Sequence, residues 1–164
     1  SKTPMKKLLI VWHSMTGGSE ALAHSALAGA EEVEARLVHA GEAAQDDMLG
    51  ADGYLFVFPE NLAAISGVMK AFFDRCYYPC LGHIEARPYA LIICAGSDGS
   101  NAVRQAERIA TGWRLKRVAD SMIACTHAQT PEAILAPKTI APADLQKARE
   151  TGAALAAGLE LGIF

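Results

Sequence analysis

What the sequence lacks removes several classes of protein. Hydrophobic residues make up 51% of the 164, yet no charge-free apolar run approaches the roughly 20 residues a bilayer span needs. Net charge is −3 with both signs dispersed. The clustered basic face that nucleic acid requires is therefore missing, as is the strong acidity of a carrier steered to basic partners. The four cysteines offer no metal set: Cys76 and Cys80 stand four apart without two further ligands, and His39, His83 and His127 have no ligand spacing. Cys94 sits inside an apolar strand and Cys125 ends another, and both read as small core residues. Cys76 and Cys80 read as structural, with a redox-active pair as the alternative. There is no repeat and no linker, and Ser1–Lys7 lacks the layout of a secretory signal. Ser1–Pro4 reads as disordered or tag-derived. A cytoplasmic protein of one domain, 1–164, is expected.

What is present concentrates first at Ser14–Ser19. An apolar run from Leu8 to Trp12 stops at a Ser/Thr/Gly loop, and a helical pattern then begins near Ser19. Helix N-termini attract anions because their first amides lack intrahelical partners. Ser14, Thr16 and Ser19 add hydroxyls, and Gly17 and Gly18 allow close backbone approach. The spelling excludes a Walker loop, since no lysine follows the glycines, and a Gly-x-Gly-x-x-Gly dinucleotide fingerprint. His13 and Ser14 stand where a Cys-x5-Arg phosphatase needs cysteine and where a receiver domain needs acids. No Lys or Arg lies between Lys7 and Arg36, so neutral donors and the helix dipole are expected to hold the anion. That suits the single phosphate of a tightly held mononucleotide. The plain alternative is an ordinary polar turn.

Strand patterns fall at Lys7–Trp12, Val33–His39, Gly53–Phe58, Tyr89–Ala95 and Ala119–Cys125. Helical patterns fall at Ser19–Ala30, Ser66–Tyr77, Asn101–Thr111 and Pro142–Leu161, with a short one at Ala44–Leu49. This alternation predicts a doubly wound α/β fold with a five-stranded parallel sheet, order 2-1-3-4-5. A ligand then belongs at the carboxyl ends of strands one, three and four, where the loops Ser14–Ser19, Pro59–Ser66 and Ala95–Ser100 emerge. Residues 128–143 read as one long surface loop.

Ser14-x-Thr16-Gly17-x-Ser19 resembles the flavodoxin phosphate signature, Ser/Thr-x-Thr-Gly-x-Thr/Ser. Residues 59–74 resemble Pro-Thr-Tyr-Phe-Gly-Asn-Met-Ser-Gly-Gln-Met-Lys-Ala-Phe-Leu-Asp of flavodoxin-like NAD(P)H:quinone oxidoreductases and FMN reductases. Pro59, Ser66, Gly67, Met69, Lys70, Ala71, Phe72 and Asp74 match without a gap. The resemblance covers the first four strands and weakens beyond Gly112. It implies a flavodoxin-like three-layer fold and FMN, rather than FAD, as cofactor. Ser14, Met15, Thr16, Gly17, Gly18 and Ser19 would wrap the phosphate. Pro59, Glu60, Asn61, Leu62, Ala63 and Ala64 would follow the isoalloxazine edge. Ala95, Gly96, Ser97, Asp98 and Gly99 would flank the pyrimidine and ribityl.

Departures from the family segment shape the functional reading. Asn61-Leu62-Ala63-Ala64 replaces Tyr-Phe-Gly-Asn, and neither ring loop holds Phe, Tyr or Trp. An unstacked ring favours hydride exchange with NAD(P)H as co-substrate and a quinone-like or other small-molecule electron acceptor. A flavodoxin-type electron carrier is the alternative, and a flavin-free regulatory domain the third reading. Ala63 also lacks the glycine freedom that helps a peptide turn toward N5. His13 reads as a strand-end histidine, or as a phosphate donor or proton source, Glu60 as a solvated loop residue, or as a general acid or tuner of the ring, and Asp98 as turn chemistry or a partner of the flavin or ribityl. Phe72 or Phe73 belongs to the core, and the rest, with Tyr77 and Tyr78, are left for a homodimer contact or for lining the flavin from a partner chain.

Overall fold

Apolar runs buried on both faces fix the centre of the sheet. The computed structural model describes residues 4–164, so the reading of Ser1–Pro4 as disordered or tag-derived falls outside the described residues for its first three positions. Along the chain come β1 (Lys7–Trp12), α1 (Gly18–Gly29), β2 (Glu34–His39), α2 (Gln45–Gly50), β3 (Gly53–Asn61), β4 (Ala64–Ile65) and α3 (Gly67–Cys80). They are followed by β5 (Pro88–Ala95), α4 (Ser100–Gly112), β6 (Lys116–Arg117), β7 (Met122–Cys125), α5 (Pro131–Leu135) and α6 (Pro142–Leu161). No helix among the described residues is long and apolar enough to cross a membrane.

The strands alternate with period two, as a sheet covered on both sides requires. Leu9, Val11, Tyr54, Phe56, Phe58, Tyr89, Leu91 and Ile93 enter the layer under α2, α3 and α4. Leu8, Ile10, Leu55, Val57, Ala90 and Ile92 enter the layer under α1 and α6. The first layer is rich in rings, with Phe56 edge-on to Phe73 at 5.3 Å and Tyr77 stacked on Trp113 at 5.5 Å. Phe72 and Phe73 are both core, whereas Tyr78 is exposed. Cys76 and Cys80 are buried in this layer, where burial raises both thiol pKa values, that of Cys80 to about 11.

Strand order is β2-β1-β3-β5-β6, with β7 also on β5 and β4 on β3. All pairings are parallel except β3–β4. The expected order 2-1-3-4-5 therefore holds, with the fifth position shared by two short strands. β6 joins the start of β5 and β7 its end. Between them Glu107 Oε1 accepts from Arg117 Nη1 at 2.8 Å and Ser121 Oγ at 2.7 Å, holding the interruption against α4.

Residues 128–143 are not simply loop. Thr130 Oγ1 accepts from Ala133 N at 3.2 Å and Pro131 opens α5, a cap-and-proline start. On the opposite side α6 crosses α1 with the backbones almost touching. A Cβ on Gly152 would collide with Ala26 O, and one on Gly29 with Arg149 O. This seat fixes α1, whose N-terminus lies at the carboxyl end of β1.

Candidate functional site

The N-termini of α1 and α4 meet the carboxyl ends of β1, β3 and β5. Both helices are preceded by glycine at left-handed φ, Gly17 at 99° and Gly99 at 90°, positions that favour glycine. In the first loop Ser14 Oγ accepts from Gly17 N at 2.8 Å, which folds the chain back over the start of α1. The first amides of α1, Gly18 to Glu20, have no intrahelical acceptor. Ser19 Oγ, on a residue only 1% exposed, finds no hydrogen-bond partner among the described residues. Its neighbour Cys94 lies close enough to interact, but not in hydrogen-bond geometry. Burial pushes the Cys94 thiol up to about 11, with Lys138 pulling it the other way. A side chain on Gly18 would meet Cys94 Sγ at 2.7 Å.

The expectation of a cradle built from neutral donors alone does not hold. Lys138 N donates to Thr16 O at 2.9 Å. Lys138 Nζ donates to Thr16 Oγ1 at 3.1 Å, Ile134 O at 2.7 Å and Ala136 O at 2.6 Å. A cation thus reaches the first loop from the segment read as a surface loop.

In the second loop β3 runs past Phe58 to Asn61 and turns through Leu62 and Ala63 into β4. Both turn residues have positive φ, 51° and 61°, the pattern of a two-residue hairpin normally built on Gly or Asn. Ala63 thus adopts the left-handed region without glycine, at a cost of roughly 1 kcal/mol or more. Neighbouring bonds hold the turn: Asn101 Nδ2 donates to Ala63 O, and Ile65 N donates to Gln105 Oε1 at 3.0 Å. Glu60 is not a freely solvated loop residue. Its carboxylate accepts from Gly99 N at 2.9 Å and Ala102 N at 3.0 Å. It supplies from β3 the cap that Gly99 lacks at the start of α4, and clamps the second loop to the third.

The resulting cleft is lined by Ser14, Met15, Thr16, Gly18, Ser19, Pro59, Glu60, Asn61, Ala95 and Gly96. Cys94, Thr126, Ala128, Ile134 and Lys138 complete it, and none of these residues is aromatic. Gly17, Leu62, Ala63, Ala64, Ser97, Asp98 and Gly99 lie outside this lining. Asp98 turns to Ser100 instead, accepting from its N at 3.2 Å and its Oγ at 2.9 Å. Leu62 stands fully exposed at the hairpin tip, and Met15 is half exposed. The wall formed by Thr126, Ala128 and Ile134 was not foreseen from sequence, although Thr130-Pro131 signals a helix start. Cys125 is not core: its thiol donates to the Gly96 and Ser97 carbonyls, both at 3.5 Å, with His127 Nδ1 at 3.6 Å.

His13 lies outside the cleft lining. Its Nδ1 meets Ser66 Oγ at 2.8 Å, and its ring stands edge-on to His39 at 5.9 Å. Burial first, and then His39, lowers its pKa below 6.5. The unfolded chain therefore binds the proton more readily, so this contribution to stability is complete above pH 6.5 and falls as pH drops toward the folded pKa. Denaturation across that window should show stability falling with acid, and His13→Gln should flatten the dependence. An unchanged slope in the variant would contradict the assignment.

A family model for NADPH-dependent FMN reductase matches residues 30–130. The chain belongs to this family of flavodoxin-like FMN-binding proteins. It is 35% identical over 97 residues to a flavodoxin of Aquifex aeolicus (strain VF5), a match covering 57% of this chain and 50% of that protein. The chain thus spans about half the length of the curated relative it matches. Its fold resembles a flavodoxin, WrbA-like protein of Agrobacterium tumefaciens, with a TM-score of 0.74 at 17% identity over 95% of this chain and 98% of that one. It also resembles an archaeal flavodoxin, with a TM-score of 0.75 at 14% identity over 94% and 99% of the two chains.

The residues present fit the phosphate end of FMN. A glycine-led helix start, the hydroxyl of Thr16 and the buried hydroxyl of Ser19 form a donor set suited to an oxyanion, with the ammonium of Lys138 beside them as a fixed positive charge. The first loop and Lys138 both fall outside the stretch that the family model matches.

Proposed function

We propose that this chain holds FMN in the cleft and acts as an NAD(P)H-dependent oxidoreductase that passes electrons to a quinone-like or other small acceptor. The observation that carries this reading is the make-up of the cleft: anion donors at one end and no aromatic side chain along its walls. When bound, FMN supplies the hydride-accepting and electron-donating chemistry, and the protein supplies position and environment.

The chain's own residues divide that task. Ser14 folds the first loop, and Thr16, Gly18 and Ser19 would present donors to the phosphate. Pro59, Glu60 and Asn61 would form one wall along the flavin, and Ala95 and Gly96 the other. Glu60 acts through its clamp on α4 and keeps the two walls in register. No aromatic side chain lines the cleft, so a bound flavin would keep a face open to nicotinamide or acceptor. A carrier role has one observation in its favour, the relative named flavodoxin.

Mass spectrometry of the released cofactor should give FMN, and the FMN-loaded protein should oxidise NADPH or NADH with a quinone acceptor. Released FAD, or loaded protein inert to both nicotinamides with every small acceptor, would contradict the proposal.

A further inference from the structure

We propose that Lys138 is a phosphate-recognition residue which makes the cradle selective for a phosphate dianion, and hence for FMN over riboflavin. This rests on the FMN reading above and extends it to a residue 122 positions from the loop it serves.

Three features of the structure support it. First, the ammonium is fixed in place: the carbonyls of Ile134 and Ala136 hold it, the backbone of Lys138 is tied to Thr16 O, and its third donor reaches Thr16 Oγ1. Second, Lys138 forms no salt bridge among the described residues and lies beside the positive end of the α1 dipole. Two positive fields side by side are unfavourable unless an anion joins them. Third, Ser19 is buried, lines the same cleft, and its Oγ has no hydrogen-bond partner among the described residues. A threonine oxygen that accepts from an ammonium keeps its own hydrogen free, so Thr16 can donate to the same anion.

Lys138 also ties the α5 segment to the first loop, and a purely structural strap must be distinguished from phosphate recognition. A strap would affect every flavin alike. A phosphate partner would affect only the flavin that carries phosphate, and most strongly when the phosphate bears two charges. The second ionisation of a phosphate monoester lies near pH 6, about where that preference should appear.

The test is titration of the full apoprotein with FMN and with riboflavin, followed by flavin fluorescence, for wild type, K138Q and K138R. K138Q removes this fixed charge and should weaken FMN binding roughly tenfold or more while leaving riboflavin binding unchanged, and K138R should recover most of the loss. The gap between wild type and K138Q should widen as pH rises through about 6 and narrow with added salt. Equal weakening of both flavins, or no change for FMN, would overturn the proposal. If wild type binds neither flavin, the FMN reading fails and this inference with it. If K138Q does not fold, the wild type still decides. Its FMN affinity relative to riboflavin must rise with pH through that range and fall with salt, and a flat response overturns the assignment.

Discussion

Gly152→Leu is expected to destabilise the protein by about 3 kcal/mol, the upper end of the range for overpacked sites, and to lower the melting temperature by roughly 10 °C. The reason is backbone meeting backbone. At this crossing of α6 and α1, even the first atom of a side chain would collide with Ala26 O, and Gly29 offers no relief because Arg149 O sits equally close to it. No flexible side chain can move aside, so one helix must shift. α1 carries the first loop at its N-terminus, so a variant that folds should also bind FMN less tightly. Chemical denaturation with flavin titration measures both effects. A wild-type midpoint would mean that the two helices do not pack as described.

Thr16→Asp should weaken FMN binding by at least a hundredfold with little effect on folding. The substitution removes a donor and places a carboxylate where the phosphate is to sit. At an effective dielectric constant of 20, two unit charges about 4 Å apart repel by about 4 kcal/mol, and the phosphate carries nearly two charges. Lys138, 3.1 Å from the threonine oxygen, will offset part of this by pairing with the new carboxylate, which also takes the cation from the phosphate. Riboflavin should be far less affected. Fluorescence titration with both flavins checks this, and an FMN affinity within a few-fold of wild type would place the phosphate elsewhere.

The sheet was legible because Leu8–Val11, Tyr54–Phe58 and Tyr89–Ala95 are apolar on both faces, a pattern with few other homes in a chain of this length. The first loop was legible because its chemistry is local: strand, hydroxyls, glycines and helix start fall within about a dozen consecutive residues. Lys138 was not, because no local pattern shows that a lysine in an Ala/Pro-rich segment will arrive at Thr16. Glu60 was misjudged for a related reason. Its partners are the amides of Gly99 and Ala102, which have no side-chain signature and become neighbours only when β3 and β5 pair. The positive φ at Leu62 and Ala63 runs against local preference and is held by Asn101 and Gln105 on α4. Asp98 illustrates the turn-chemistry alternative, since its carboxylate accepts from Ser100 within its own loop.

The central claim is an FMN cleft with an open ring face, used for two-electron exchange with a nicotinamide. Anaerobic titration of the FMN-loaded protein with NADPH, and in parallel with NADH, tests it most directly. The expected result is loss of the oxidised flavin absorption to the fully reduced spectrum with at least one of the two, with little one-electron radical spectrum at the midpoint. Protein that neither nicotinamide reduces, and that a chemical reductant takes through a dominant radical spectrum, would contradict the account and establish a carrier instead.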